Sequence, residues 1–237
     1  MANPLQRIDL PSLERCEGEL QLWRLNTSIA TYTEECFSLL SSDEQQRAKR
    51  LDNTKHRQRF ITTRLALRRL LSQKLACKPE TIQFSYNNAA RPQLKHPSST
   101  LQFNISHSDN ISLIAIADKL LIGVDIEQNN VNIEHLQVAH SVFCKNEIQL
   151  LVDKTNSSQR ILFYRIWTIK EAVLKLLGTG FSLAPCSFCV DDVFAGSPFI
   201  DLPKLGLEAS IPTHIQIMEL QISPNHSIAI AFSDIKK

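Results

Sequence analysis

The chain lacks any apolar run long enough to cross a bilayer, and its opening MANPLQRIDLPSLER lacks the apolar core of a secretory signal. A cytoplasmic protein is expected. It also has no low-complexity stretch and no Gly/Ser-rich linker, so any lobes within the 237 residues should pack directly together. Metal-ligand spacing of the zinc type is missing. Cys186-Ser-Phe-Cys189 has no second ligand pair at a suitable distance, and it sits in a strand-like stretch where residues three apart face opposite ways. Neither metal nor redox function is expected of it. His135, His140, His214 and His226 show no ligand spacing either. The six scattered cysteines (16, 36, 77, 144, 186, 189) are expected to be free thiols.

What is present is ordinary in bulk and uneven in detail. Hydrophobic residues make up 43% and charged residues 21%, enough for a globular core. The net charge of +2 conceals a concentration of eleven Lys and Arg between Arg47 and Lys78, against the single acid Asp52. Such a field suits phosphates, nucleic acid or an acidic protein surface, although a solvated helix face would look the same. Nucleic-acid binding gains little further support: the basic helix carries only Phe60 as an aromatic platform, and no nucleic-acid module is recognisable.

Periodicity predicts an α+β fold. Residues 19–25 alternate as an opening strand, and a helical stretch over about 33–51 has Ser41-Ser42-Asp43 as a cap before Glu44. Residues 56–76 read as a long basic amphipathic helix, with Phe60, Leu67, Leu70, Leu71 and Leu75 on its apolar face and Arg57, Arg64 and Arg68 largely off it. A strand is expected over 81–86, then three short strands in 101–127. Helices follow over 132–154 and 158–177, the second stopped by Gly178. The rest is mostly strand and loop. A faint echo between SDNISLIAIAD (108–118) and SPNHSIAIAFSD (223–234) suggests two related α+β lobes, divided near 119–121.

The chemistry concentrates in three segments. In GVDIE, Asp125 and Glu127 are two apart on a strand, so their carboxylates share a face while Val124 and Ile126 point to the core. Two adjacent like charges call for a cation between them, and a hard divalent ion with phosphate co-ligands is one solution; solvated acids at a strand end are the other. In WTIKEAVLK, Glu171 and Lys175 lie one helical turn apart, opposite the apolar stripe of Leu162, Ile166, Ile169, Val173 and Leu176. They form either a surface pair or a third metal carboxylate beside a cation that meets a charged leaving group. In FNISHS, preceded by Arg91-Pro92, His107 and Arg91 are candidate phosphate donors, His107 equally a structural histidine.

Taken in order, ARP (90–92), FNISHS (103–108), GVDIE (123–127), FCKNE (143–147), WTIKEAVLK (167–175) and GTGFSL (178–183) resemble the surfactin-type 4′-phosphopantetheinyl transferases over nearly the whole chain. That resemblance implies two pseudo-symmetric α+β lobes, 1–119 and 120–237, with coenzyme A in the cleft between them. It implies Mg²⁺ (or Mn²⁺) on the diphosphate, held by Asp125, Glu127 and Glu171. Glu147 would be the general base on a carrier-protein serine, and Lys175 would meet the departing 3′,5′-ADP. Arg91, Ser106 and His107, with Arg59 or Arg64, would contact the nucleotide side of coenzyme A. The carrier's acidic helix would meet the basic helix, including Arg68 and Arg69, and the enzyme would act as a monomer. Two departures stand out. Ala90 replaces a glycine common in the family, and Cys144 replaces a hydroxyl residue, weakening a helix cap that Asn146 could take over. A metal-dependent phosphohydrolase and a catalytically silent carrier-binding relative are the competing expectations.

Overall fold

Alternation of apolar and polar residues produces two antiparallel sheets, each backed by one long helix. The computed structural model describes residues 3–11, 18–87, 91–131, 134–203 and 212–235. In chain order it runs β1 (Leu5–Ile8), β2 (Glu19–Asn26), α1 (Glu34–Phe37), α2 (Ser42–Lys49) and α3 (Thr54–Leu75). Next come β3 (Gln83–Tyr86), β4 (Pro92–His96), β5 (Leu101–Ser108), β6 (Ile111–Asp118) and β7 (Leu120–Gln128). The second half adds α4 (His135–Val142), α5 (Lys145–Val152), α6 (Asn156–Leu177), α7 (Asp191–Phe194), β8 (Phe199–Asp201), β9 (His214–Leu220) and β10 (His226–Asp234). The sheet orders are β1-β2-β6-β5 and β7-β10-β9-β8, with β3 and β4 forming a separate ribbon. This is the α+β fold in two lobes. None of the described helices is long and apolar enough to cross a membrane.

The core is layered. Leu20, Leu22, Leu113 and Ala115 of the first sheet pack against Ile122, Val124, Ile126, Ile230 and Phe232 of the second. On the outer face of the first sheet, Leu67, Leu70 and Leu71 of α3 cover Phe103, Ile114 and Ile116. On the outer face of the second, Ile166, Ile169, Ala172 and Val173 of α6 cover Ile215, Ile217, Ala229 and Ala231. The helix α6 can lie this close because residue 123 is glycine: a Cβ there would come within 1.9 Å of the Ala172 carbonyl oxygen. Gly178, at φ 70°, ends the helix in the left-handed conformation.

Two expected helices are each broken in two. The stretch 33–51 divides because Ser41 caps α2 reciprocally with Glu44, which fixes a new helix start. The stretch 132–154 divides at Phe143-Cys144, where the Cys144 amide donates to Glu147 at 2.8 Å; residues 132–133 lie outside the described residues. Asn146 does not cap α5, since its amide donates to Asp191 instead. The basic helix also differs from expectation. Arg64 and Arg68 are interior, and Arg68 pairs with Glu44 at 2.7 Å while donating to the Pro79 and Ile82 carbonyls. So much of α3 is enclosed that Arg68 presents nothing to a partner; Arg69, by contrast, is exposed. The cysteines are not all free: Cys144 and Cys189 form a disulfide, Cα atoms 5.9 Å apart.

Candidate active site

The site forms where the edges of the two sheets meet. β5 ends one sheet and β7 ends the other, so neither offers its open side to a further strand of its own sheet. Side chains at every second position of β5 bridge the gap. Asn104 accepts from the Val124 amide at 2.9 Å, Ser106 donates to Asp125 Oδ1 at 2.7 Å, and Ser108 accepts from the Gln128 amide at 2.9 Å. The period of two thus aligns residues 104, 106 and 108 with the residues that carry the acids. His107 faces the other way.

Across β7, Asp125 is 2% exposed. Lys175 reaches down from the last turns of α6 to sit 2.6 Å from Asp125 Oδ1, and also donates to Ser106 Oγ at 2.9 Å. The second oxygen, Oδ2, is buried with no hydrogen-bond partner among the described residues. Glu171, one turn earlier, makes no hydrogen bond or ion pair there either. Burial and the Asp125 charge push the Glu171 carboxyl up. The same two causes push Glu127 up to about 7, against a hydrogen bond from Trp167 and the pull of Lys175. In this structure the carboxylate oxygens of Asp125, Glu127 and Glu171 do not all lie within 4.8 Å of one another.

An unpartnered buried carboxylate oxygen beside two carboxyls driven toward protonation marks a deficit of positive charge. A hard divalent cation fits that all-oxygen donor set. Zinc-type thiolate chemistry does not enter here.

Three cavities surround this cluster. One of about 270 Å³ is lined by Arg91, Phe103, Glu171, Lys175, Gly178 and Phe181. A second, about 320 Å³, is lined by Arg47, His56, Arg59, Phe60, Arg64 and His107, and shares Pro92 and Ile105 with the first. The third, about 310 Å³, lies against Glu127, Phe163, Tyr164 and Trp167. The second holds five basic side chains and no acid. Arg64 is 6% exposed there, stacks over Phe60 and Phe84, and has an Nη1 without a partner among the described residues. Burial lowers its pKa, and His107 is held below the usual imidazole range by desolvation and by the Arg59 and Lys175 charges. Arg47 and His56 escaped the sequence reading. Both lie in the basic run, but nothing in the spacing separates them from solvated neighbours.

Two of the expected site residues are already engaged by the protein itself. Arg91 lines the first cavity, but its fork is taken up by backbone carbonyls. Nη1 donates to the Lys175 carbonyl and at 3.2 Å to that of Leu176, while Nη2 reaches Ile122 at 2.9 Å and Phe103 at 3.4 Å. Burial lowers its pKa to about 10, leaving it cationic, a clamp on the end of α6. Glu147 is 0% exposed. Its Oε1 meets Lys170 Nζ and the Val190 amide, each at 2.8 Å, and its Oε2 accepts from Cys144. Both oxygens of that carboxylate are thus already engaged in this structure. In this structure Glu147, read as a base, is fully paired, and Arg91, read as a phosphate contact, is engaged by backbone carbonyls. Ser106, Asp125 and Lys175 are in direct contact, Glu127 and Glu171 flank them, and His107, Arg59 and Arg64 share the neighbouring basic cavity.

A cleft of acids and a lysine next to a pocket of arginines and histidines is suited to a phosphate-bearing molecule. Residues 121–231 match the model of the 4′-phosphopantetheinyl transferase superfamily, and residues 26–119 match that of the 4′-phosphopantetheinyl transferase N-terminal region. The chain belongs to this superfamily. It is 34% identical to the 4′-phosphopantetheinyl transferase HetI of Nostoc sp. over 72% of this chain and 73% of that one. It is 27% identical to Sfp of Bacillus subtilis over 83% and 84% of the two. A Synechocystis sp. protein named as a candidate member is 38% identical, over 61% of this chain and 59%, under two thirds, of its own length.

Proposed function

We propose that this chain transfers the 4′-phosphopantetheine arm of coenzyme A to a serine of an apo carrier protein and releases 3′,5′-ADP. The observation that carries this reading is the buried, unpartnered Asp125 Oδ2 amid Glu127, Glu171 and Lys175, with Glu171 and Lys175 lining a largely apolar cavity that adjoins a basic one. Asp125, Glu127 and Glu171 would hold Mg²⁺, which when bound neutralises and polarises the diphosphate. Lys175 would balance charge on the departing nucleotide, and Ser106 would orient it by accepting from Nζ while donating to Asp125. Arg47, Arg59, Arg64, His56 and His107 supply the positive field for the nucleotide's phosphates. With Glu147 enclosed, the proton acceptor for the serine hydroxyl is a group of the acidic cluster or water within it. The catalytic effect is mainly positioning and charge stabilisation, as phosphoryl-type transfer requires. The carrier's acidic surface would meet the exposed cations of the basic run, Lys49, Arg50, Lys55 and Arg69, and a single copy would suffice.

The test is intact-mass spectrometry of apo carrier proteins incubated with the chain, coenzyme A and Mg²⁺. One phosphopantetheine mass should be gained, and EDTA or a Ser→Ala carrier should abolish it. Asp125→Ala should lower the rate on the order of 10²–10³-fold with the fold intact. Wild-type-like turnover in that variant would remove the cluster from the mechanism. Release of 3′,5′-ADP and free 4′-phosphopantetheine from coenzyme A without an acceptor would point to a phosphohydrolase instead.

A further inference from the structure

The Cys144–Cys189 bond joins two backbone sites that already share one buried charge. Cys144 ends the loop before α5, and its amide donates to Glu147 Oε2 at 2.8 Å. Cys189 precedes Val190, whose amide donates to Glu147 Oε1, also at 2.8 Å. Glu147 pairs with Lys170, and Lys170 Nζ donates to the Pro185 and Phe188 carbonyls at 2.9 and 2.6 Å. Of the four backbone groups that hold this ion pair, three (Pro185 O, Phe188 O and Val190 N) lie on the short segment that Cys189 tethers. Lys170 immediately precedes Glu171 on α6. Both cysteines are half-buried, so a small thiol can reach the sulfurs, and Asp191 lies within 4.8 Å of them.

We propose that Cys144 and Cys189 are a reversible thiol–disulfide site, opened by a dithiol reductant, whose state sets how firmly the 185–190 segment holds the Glu147–Lys170 pair. A thiolate of the reductant attacks one sulfur, the Cys144–Cys189 bond breaks, and a mixed disulfide forms. The reductant's second thiol then displaces the protein sulfur. The net result is one reductant disulfide, with two electrons and two protons delivered to Cys144 and Cys189. In the open state the segment is held without a covalent link, by its polar contacts and by the burial of Phe188 and Val190. Lifting it strands two buried charges, so the closed state is the more rigid one. The 186–189 motif enters only through Cys189, because Cys186 is an exposed free thiol.

The full chain would be equilibrated in buffers of reduced and oxidised dithiothreitol, quenched by alkylation and mapped by mass spectrometry. Hydrogen exchange and thermal unfolding would be measured on the same samples. We expect a single two-electron step on the Cys144–Cys189 peptide pair. Reduction should speed exchange in 185–190 at least tenfold and lower Tm by several degrees. Cys144→Ser and Cys189→Ala should behave as reduced protein in every buffer, whereas Cys186→Ser should titrate like the parent. The proposal is overturned if the pair never links under oxidising conditions, or links without changing exchange or Tm. It is equally overturned if Cys186 replaces either partner, or if the reduced protein holds zinc on Cys144, Cys189 and Asp191 and does not reoxidise. None of these readings depends on transfer activity, so failure of the transfer assay would count against the proposed function alone.

Discussion

Arg91 donates to carbonyls of α6, β5 and β7, and that distribution dictates how its variants behave. Arg91→Ala should leave buried carbonyls unpaired and cost about 3 kcal/mol, since each stranded polar group costs roughly 1–3 kcal/mol. In a chain of this length that corresponds to a Tm lower by about 6–12 °C. Arg91→Lys should recover part of the loss, because one ammonium cannot span carbonyls set in several directions. A large drop in coenzyme A affinity at unchanged Tm would instead restore Arg91 as a phosphate contact. An arginine before proline reads identically in sequence whether it meets a phosphate or a helix end, and the helix end that it meets here is 84 residues away. Asp125 and Lys175 were legible as candidates because strand and helix periods place them, whereas Ser106 entered through the family resemblance. Glu147 carried its own signal: a glutamate at the third position of a helix favours a capping box over catalysis.

At the scale of elements, the close seat of α6 on β7 rests on a single missing side chain. Gly123→Ala should drive the new Cβ into the Ala172 carbonyl and the Leu176 amide, both backbone atoms that cannot swing aside. We expect a destabilisation of about 1–3 kcal/mol or more, as for overpacking in general, with Lys175 displaced from Asp125. Denaturant unfolding measures the first and Mg²⁺-dependent transfer the second; full stability with full activity would show that α6 can shift freely. Long periodic segments were readable: α6, α3 and the strands of 101–128 lie close to where their apolar spacing put them. Helix breaks were less so, because local caps at Ser41 and Cys144 override a continuing apolar pattern. The basic face of α3 misled for a physical reason. Arginine stems pack like apolar chains, and Glu44, from a neighbouring helix, neutralises Arg68 inside.

In the whole molecule, the repeat of SDNISLIAIAD in SPNHSIAIAFSD falls on β6 and β10, each an interior strand of its sheet. The candidate site residues gather where the outer strands β5 and β7 meet: β7 and α6 carry the acids, and β5 supplies Ser106 and Ser108, which donate to Asp125 and Glu127. That assembly concentrates negative charge, and its cost depends on pH. Glu127 titrates near 7 in the folded chain against an ordinary 4.5. Between those values the folded state keeps a proton that the unfolded state has shed, so stability falls as pH rises through the window. His107, His135 and His226 act oppositely. Each is held below its ordinary 6.5, so their contribution grows with pH only up to that value. Above it, the raised carboxyls are the groups left to titrate toward neutrality. Metal-free protein in EDTA should therefore lose a few degrees of Tm between about pH 6.5 and pH 8. Millimolar Mg²⁺ should restore more at the higher pH, where Glu127 is ionised and free to bind. Thermal melts across that range test both signs, and a flat profile that Mg²⁺ leaves unmoved would mean that the cluster holds no cation.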